Sequence, residues 1–333
     1  MSTSFQVFRG TKDGSIVSSE TSSVLTSNQV FIETTHSGVC GTDEIFLHSG
    51  QALGHEGVGI VRQISPGVHS VQVGDRVGFG YVRKVCGSCD SCMAGLDQYC
   101  RTVRVYGECD FDIGSFGSGV VWDADCLFPI PQNYKSEHAA ALMCAGASVW
   151  ECLQDGPAEP GERVGVLGVG GLGHLAVKLA SSMGCEVVVL STSESKREDA
   201  MSFGASEFHV FNQSAEHAQK IQPLKRLLLC SNSSSVEDFT TIVPHMDTSG
   251  VIYPLTVSFG DIKIPLLAVM AKGLRIQGTR VSSRRTMRSL LKFAAQYNIT
   301  PDIMTFPLTS KGIETSMHEL REGRIKYRAV LIR

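Results

Sequence analysis

Four cysteines in one short segment are the residues of this sequence that are best suited to metal chemistry. Cys86, Cys89 and Cys92 are spaced three residues apart, and Cys100 follows eight residues later. Four thiolates can surround a Zn²⁺ ion tetrahedrally and leave no coordination position open for a substrate. The segment therefore predicts a structural zinc site. An iron–sulfur cluster and four cysteines without a metal are the alternatives.

Three further segments each contain a residue that zinc binds. They are Gly-Val-Cys-Gly-Thr-Asp around Cys40, Gly-His-Glu-Gly around His55, and Leu-Met-Cys-Ala-Gly-Ala-Ser around Cys144. Catalytic zinc usually has three protein ligands and one exchangeable position, and mixed cysteine and histidine sets are known. Taken singly, each residue is also typical of a turn or a helix core. Their order around the four-cysteine segment, ahead of a glycine-rich turn, favours a second metal site.

A glycine-rich turn follows an apolar strand predicted over residues 163–167. It comprises Gly168, Gly170, Gly171, Leu172 and Gly173, and a helix with apolar residues at helical spacing comes next. Missing side chains let the backbone approach a pyrophosphate, and the helix N-terminus supplies N–H donors. The context of strand, turn and helix predicts a dinucleotide site; a tight turn without a ligand is the alternative.

The end of the second strand, predicted over 186–190, indicates which dinucleotide binds. The residues after it are hydroxyl-bearing and then basic: Ser191, Thr192, Ser193, Lys196 and Arg197. An acidic residue here would bind the ribose hydroxyls of NAD, whereas small hydroxyls and cations suit a 2′-phosphate. The pattern favours NADP(H). Glu194 is an objection, and a solvated polar loop is the alternative.

Two kinds of structure must position these residues. Short β-rich runs broken by glycine extend from about residue 30 to 128 and predict an irregular β domain. A helix is predicted from Ser136, as its N-cap, to about Leu153. From residue 163, strands and helices alternate, which favours a parallel sheet with helices on both faces. The last strand-like run, 327–332, is expected to return to the first domain.

Composition narrows the classes of partner and location. A chain of 333 residues is expected to form two domains, and a net charge of −3 gives no reason to expect nucleic acid or a membrane surface as partner. The N-terminus resembles no secretory signal, so we expect a cytoplasmic protein. Its 11 cysteines are then reduced, and metal binding explains them better than disulfides.

The combined motifs resemble the zinc-dependent medium-chain dehydrogenases/reductases, close to the cinnamyl-alcohol-dehydrogenase-like branch and to fungal alcohol dehydrogenases, over nearly the whole chain. The resemblance implies an α/β fold with a GroES-like irregular β-barrel catalytic domain and a doubly wound parallel-sheet (Rossmann) nucleotide-binding domain. We expect the first to comprise residues 1–153 with 281–333, and the second 154–280.

The resemblance also assigns roles to single residues. It implies that Cys40, His55 and Cys144 bind a catalytic zinc, and that Glu56 lies beside the metal as an occasional ligand. Asp43 matches the position that orients the histidine, and Thr42 the hydroxyl that bonds the substrate oxygen. The remaining matches are cofactor contacts, at Ser148, Thr279 and Arg280.

The implied reaction is hydride transfer between NADPH and an aldehyde or ketone, in a homodimer with two zinc ions per chain. The sequence departs from many relatives at Ile45, where they have a histidine that passes on a proton. His48 is the nearest candidate to replace it. Enone reduction, a non-redox reaction and a non-catalytic NADPH-binding homologue are therefore the alternatives.

Two other features bear on ligands. The interval between Cys40 and His55 is short for the family, so we expect a wider substrate mouth. Phe46, Phe259 and Trp150 are candidate pocket residues, although each also suits a core. A basic run that includes Arg284, Arg285 and Arg288 is typical of a solvated helix face.

Overall fold

The computed structural model describes residues 2–211, 221–231 and 238–333. The chain folds into two compact units, the first formed by Met1–Ala147 with Val281–Arg333 and the second by Ser148–Arg280. Within the described ranges, no helix is both long and apolar enough to cross a membrane.

The strands are numbered β1 to β17 in chain order. They are Ser2–Gly10, Ile16–Val24, Gln29–Val39, Gly57–Ile64, Arg76–Phe79, Val82–Lys84, Arg104–Val105, Gly119–Asp123, Phe128–Pro129, Arg163–Leu167, Glu186–Ser191, Glu207–Val210, Leu224–Leu229, Met246–Pro254, Arg275–Ile276, Ile303–Pro307 and Arg328–Ile332.

The α-helices are numbered α1 to α9 in the same way. They are Gly41–Ile45, Asp90–Met93, Ser136–Ala141, Ala147–Gln154, Gly173–Ser182, Arg197–Ser202, Leu266–Lys272, Arg284–Gln296 and Ser310–Arg321. A π-helical segment, Leu142–Gly146, joins α3 to α4.

The first unit is built on a seven-stranded sheet in the order β16-β17-β3-β4-β5-β9, with β8 also paired to β3. β3 is its central strand, because it pairs antiparallel with β4, β8 and β17. The pairing of β17 with β3 confirms that the C-terminal strand returns to the first domain. β3 leads directly to Cys40, and β4 begins directly after Glu56, so the two antiparallel strands bring these segments together.

The described residues of the second unit form six parallel strands in the order β12-β11-β10-β13-β14-β15. This is the order of a dinucleotide-binding sheet, in which the crevice lies where the strand order reverses, between β10 and β13. Both strands are almost entirely buried, as parallel strands covered by helices must be.

One local prediction was wrong. Ser136 is the first residue of α3 and not its N-cap, since Lys135 caps the helix and the Ser136 hydroxyl accepts a hydrogen bond from Arg76 Nη1 at 3.2 Å. Before β5, the chain forms a turn closed by the bond from Asp75 N–H to the Gln72 carbonyl at 3.1 Å.

Candidate active site

Four residues from three separate segments meet in the first unit. The ligand atoms of Cys40, His55, Glu56 and Cys144 all lie within 4.8 Å of one another. Cys40 follows β3 and caps α1, His55 and Glu56 precede β4, and Cys144 lies in the π-helical segment. A π-turn within a helix is often found at functional sites, because it changes the direction in which a side chain points.

The imidazole of His55 has one satisfied and one unsatisfied nitrogen. Nδ1–H donates to Asp43 Oδ1 at 3.0 Å, whereas Nε2 is buried and has no hydrogen-bond partner among the described residues. A buried polar atom without a partner costs about 1–3 kcal/mol. A metal ion bound to Nε2 would remove that cost, so the donor set fits a metal.

The carboxylate of Asp43 is fixed by four donors. Oδ1 accepts from His55, from the Tyr106 hydroxyl at 3.0 Å and from Gly54 N–H at 3.2 Å, and Oδ2 accepts from Cys40 N–H at 3.0 Å. Such a carboxylate keeps the histidine in one tautomer and one orientation. The hydrogen bonds of Asp43 are therefore those that its expected role, the orientation of His55, requires. Tyr106 was not predicted, and no motif in the sequence indicates it.

Glu56 forms a buried ion pair that the sequence analysis also missed. Both its carboxylate oxygens accept from Arg328 Nη2, at 2.6 and 2.5 Å, and both side chains are almost fully buried. Burial raises the pKa of Glu56, and the Arg328 guanidinium opposes that shift. In the sequence, Arg328 could have been noticed only as a single charged residue at the start of an otherwise apolar strand.

The thiol of Cys40 lies in an environment that favours its ionised form. A hydrogen bond from the Cys144 thiol, with further contributions from His55, lowers the pKa of Cys40 well below its ordinary value. Thr42 N–H donates to Cys40 Sγ at 3.5 Å, and the Thr42 hydroxyl lies 3.6 Å from the same sulfur. Thr42 is thus beside the cluster and partly exposed.

Ile45, which stands where many relatives have the proton-relay histidine, and His48, the candidate to replace it, both lie on the surface. Ile45 is 43% exposed, and His48 is exposed as well. His48 Nδ1 lies 3.1 Å from the carbonyl oxygen of Lys12, in the turn between β1 and β2. This hydrogen bond joins His48 to the turn and not to a member of the cluster.

The four cysteines of the other segment converge. The sulfur of Cys89 lies 3.6 Å from that of Cys92, and Cys86 Sγ lies 3.5 Å from Cys100 Sγ and 3.9 Å from Cys92 Sγ. Four sulfurs at about 2.3 Å from one zinc ion stand about 3.8 Å apart in a tetrahedron. Hydrogen bonds from the backbone N–H groups of Ser88 and Cys89 lower the pKa of Cys86 to about 5. The geometry fits a tetrahedral metal site.

Helix α8 is attached to this four-cysteine lobe, residues 86–100. The Arg284 backbone N–H donates to Asp97 Oδ1 at 2.9 Å, and its Nε donates to Oδ2 of the same carboxylate. Asp97 is buried, with 5% of its surface exposed. Arg285 and Arg288 are exposed. In the basic run, Arg284 therefore anchors α8 to the lobe, whereas the other two arginines face solvent.

The glycine-rich turn has the shape that a dinucleotide site needs. Gly168 has a φ of +93°, and its N–H donates to the Leu190 carbonyl at 2.8 Å, which joins the ends of β10 and β11. A Cβ on Gly173 would lie 1.8 Å from the Gly168 carbonyl oxygen, so only glycine lets α5 start this close to β10. No side chain among the described residues caps α5. Its first N–H groups are therefore suited to an anion.

The loop after β11 is held by its own side chains. Ser193 N–H donates to Ser191 Oγ at 3.3 Å, and Ser193 Oγ accepts from Ser195 N–H at 3.2 Å. Arg197 is paired with Glu194 and also donates to the Phe208 carbonyl at 3.2 Å. Thr192 and Ser193 are exposed, and no acidic residue follows β11 directly.

The other expected cofactor residues belong to the second unit. Ser148 lies in α4 and is buried, whereas Lys196, Thr279 and Arg280 are partly buried. Of the candidate pocket residues, Trp150 is buried, Phe46 is partly buried and Phe259 is 89% exposed.

Comparison with known proteins identifies the family. The family model described as "Alcohol dehydrogenase GroES-like domain" matches residues 26–132, and the one described as "Zinc-binding dehydrogenase" matches residues 171–296. The chain is 31% identical to "NADP-dependent alcohol dehydrogenase C 1" of Mycolicibacterium smegmatis, over 84% of this chain and 80% of that protein. It is 30% identical to "Cinnamyl alcohol dehydrogenase 7" of Arabidopsis thaliana, over 88% and 85% respectively. The chain belongs to the zinc-dependent alcohol dehydrogenases of the medium-chain dehydrogenase/reductase family.

Solved structures confirm the fold of this dehydrogenase. A cinnamyl alcohol dehydrogenase of Sorghum bicolor superimposes with a TM-score of 0.90 at 26% identity, covering 99% of this chain and 98% of that chain. The enzyme of Helicobacter pylori that was solved with NADP(H) has a TM-score of 0.89 at 24% identity, covering 100% and 99%. The predicted pairing of a GroES-like domain with a Rossmann domain is therefore correct.

Proposed function

We propose that this dehydrogenase interconverts aldehydes or ketones with alcohols, using NADP(H) and a catalytic zinc ion bound by Cys40, His55 and Cys144. The observation that carries the proposal is the buried Nε2 of His55, which lies in a cluster with two thiols and has no hydrogen-bond partner in the described part of the chain. The alcohol dehydrogenases of Mycolicibacterium smegmatis and Arabidopsis thaliana, at about 30% identity, agree by name with this activity, and the first also agrees with this cofactor.

Zinc bound there supplies Lewis-acid polarisation of a carbonyl group, and NADPH supplies the hydride. The residues of the chain orient the partners and move the proton. Asp43 fixes the His55 tautomer so that Nε2 stays a ligand. The Thr42 hydroxyl, next to Cys40 Sγ, exchanges a proton with the substrate oxygen. We keep His48 as the residue proposed to pass the proton on to water: its side chain is exposed, and Nε2 is the nitrogen left for this role because Nδ1 is bonded to the Lys12 carbonyl.

We assign Glu56 a second position near the metal. Its oxygen lies within ligand range, yet both its oxygens are held by Arg328. Glu56 therefore balances the charge of Arg328 in the resting site and binds the metal only when this pair opens. We further propose that Cys86, Cys89, Cys92 and Cys100 bind a structural zinc, which makes two zinc ions per chain.

The NADP(H) site is assigned to the second unit. The supporting observations are the strand order of its sheet, the tight turn at Gly168 and the hydroxyl-bearing loop after β11. The assigned residues are Gly168, Gly170, Gly171, Leu172, Gly173, Ser191, Thr192, Ser193, Lys196, Arg197, Ser148, Thr279 and Arg280. Arg197 contributes less than Lys196 in this assignment, because Glu194 already neutralises it.

A homodimer is supported by the edge of that sheet, where the described part of the chain places no further strand beside β15. β15 is its last strand, and an edge strand offers unpaired backbone groups to a second copy. The chain between β14 and β15 exposes large apolar side chains, including Phe259, Leu267 and Met270 at 89%, 80% and 67%. Exposed apolar residues of this kind are typical of interfaces. Sedimentation equilibrium tests the proposal, which requires twice the chain mass of 35.9 kDa.

Two assignments extend the proposal to the whole chain. We propose a catalytic domain of residues 1–153 with 281–333 and a nucleotide domain of 154–280; the compact units divide six residues earlier, between Ala147 and Ser148. A cytoplasmic location agrees with a chain whose 11 cysteines are all free.

The purified protein should consume NADPH only when an aldehyde or ketone is present, and NADH much more slowly. The measurement follows cofactor absorbance with a panel of aldehydes, ketones and enones, and Cys144→Ser serves as the inactive control. Consumption with enones alone would favour double-bond reduction. Product formation without cofactor consumption would favour a non-redox reaction, and no reaction at all would favour a non-catalytic homologue.

A further inference from the structure

We infer that Tyr106 is a positioning residue of the catalytic metal site: its hydroxyl holds Asp43, its ring holds His55, and together they set how tightly the metal is retained. The inference rests on the proposed function, since it requires a metal ion at Cys40, His55 and Cys144.

The hydroxyl of Tyr106 belongs to the hydrogen-bond network of Asp43. It donates to Asp43 Oδ1 at 3.0 Å, the same oxygen that accepts from His55 Nδ1. Gly54 N–H, one residue before the histidine, lies 3.2 Å from the Tyr106 oxygen. The tyrosine therefore contacts both the carboxylate that orients His55 and the backbone that leads into it.

The ring of Tyr106 restrains the imidazole directly. The two rings are stacked, with centroids 4.7 Å apart and an angle of 30° between their planes. Tyr81 packs its ring edgewise against His55, with centroids 5.9 Å apart at 84°. Rotation of the imidazole about its bond to Cβ would require Tyr106 to move. The stacked ring and the Asp43 hydrogen bond thus restrict the same rotation in two independent ways.

Tyr106 is itself held in place. Its side chain is fully buried, and its backbone N–H donates to the Tyr81 carbonyl at 3.0 Å. Phe46, which caps the C-terminus of α1, packs edgewise on the Tyr106 ring with centroids 5.3 Å apart. Because α1 begins directly after Cys40, the tyrosine connects the segments of two proposed ligands.

The opposing interpretation is that Tyr106 only fills space in the core. The two interpretations differ in what loss of the hydroxyl does. Tyr106→Phe keeps the ring and removes only the bond to Asp43, so a space-filling role predicts an unchanged metal site. Removing a group that orients a metal ligand typically costs about 10- to 100-fold in metal affinity. The Tyr106 hydroxyl acts through such a group, Asp43, so we expect its loss to fall at the low end of that range.

The matched control is Tyr134→Phe. Tyr134 is also a buried tyrosine of the first unit, and its hydroxyl donates to the Ile299 carbonyl at 2.6 Å. This substitution likewise deletes one buried hydroxyl and one hydrogen bond, but it touches no residue of the metal cluster. It therefore reports the general effect of such a deletion.

The experiment measures zinc loss from the full-length protein to a chromogenic chelator. The phase that Cys144→Ser lacks is assigned to the catalytic site, and the remaining phase to the four cysteines. We expect Tyr106→Phe to accelerate the catalytic phase about tenfold or more, to leave the other phase unchanged, and to shift the ligand-field spectrum of cobalt-substituted protein. Tyr134→Phe should change neither phase.

A second variant keeps the test decisive if Tyr106→Phe folds poorly. Phe46→Leu loosens the Tyr106 ring without deleting a hydrogen bond, so it should accelerate the same phase to a smaller extent. Unchanged catalytic phase and cobalt spectrum in both variants would overturn the inference and leave the proposed function intact. A wild-type protein without a phase sensitive to Cys144→Ser would overturn both.

Discussion

Charge balance around the metal cluster explains the arrangement of its side chains. In the proposed site, two thiolates, from Cys40 and Cys144, would neutralise the two charges of a zinc ion, while Glu56 and Arg328 already neutralise each other. A buried charge without a partner is costly. On this proposal, Glu56 is not needed to balance the charge of the metal and stays paired with Arg328.

Thr192 is the residue on which cofactor preference should depend most directly. It is exposed directly after β11, where a carboxylate would bind the ribose hydroxyls and repel a 2′-phosphate. Thr192→Asp should lower the preference for NADPH over NADH, as a ratio of kcat/KM values, at least about tenfold, which corresponds to about 1.4 kcal/mol.

Thr192→Asn is the control for this change, because it has the same shape as the aspartate variant without the charge. It should keep most of the NADPH preference. A ratio that is the same in wild type and Thr192→Asp would refute the assignment of this loop to the phosphate.

Single residues could be predicted only where a motif marks them. The cysteines proposed as metal ligands, His55 and the glycines have characteristic neighbours, and the structure gathers each of the two cysteine groups into one cluster. Tyr106 and Arg328 contact their partners across 63 and 272 residues of sequence. No local pattern encodes contacts of this kind, because the fold alone creates them.

At the scale of elements, the helix around Cys144 is the clearest case of a feature that periodicity does not reveal. A single helix was predicted from Ser136 to about Leu153, and the structure has helical residues from Ser136 to Gln154 with a π-turn at Leu142–Gly146. The residues in that turn are apolar on every side, so no change of period marks the extra residue.

Helix α8 should stabilise the four-cysteine lobe through Arg284. The ion pair with Asp97 is partly buried and includes a bond to a charged group. Its loss in Arg284→Ala should lower the free energy of unfolding by about 2 kcal/mol and should accelerate zinc loss from the lobe. Urea unfolding and the chelator assay measure the two effects.

Arg288→Ala is the control on the same helix. Its side chain is exposed, so the free energy of unfolding should change by no more than about 0.5 kcal/mol. If Arg284→Ala and Arg288→Ala changed the free energy of unfolding equally, Arg284 would belong to the solvated face of the helix, as the charge pattern alone suggests.

At the scale of the whole molecule, chemistry is divided between the two units. Both proposed metal sites lie in the unit formed by 1–147 and 281–333, and the glycine-rich turn lies in the unit formed by 148–280. Alternating strands and helices were sufficient to predict the parallel sheet. The barrel-like sheet was harder to predict, because β3 pairs with strands as distant as β17.

Zinc content of the pure protein tests the central claim most directly, because it counts both proposed sites at once. Wild type should hold two zinc ions per chain, and Cys144→Ser should hold one and lose turnover while it remains folded. Cys89→Ser should lose the other zinc ion. Fewer than two zinc ions in fully active wild type, or two in Cys144→Ser, would contradict the account.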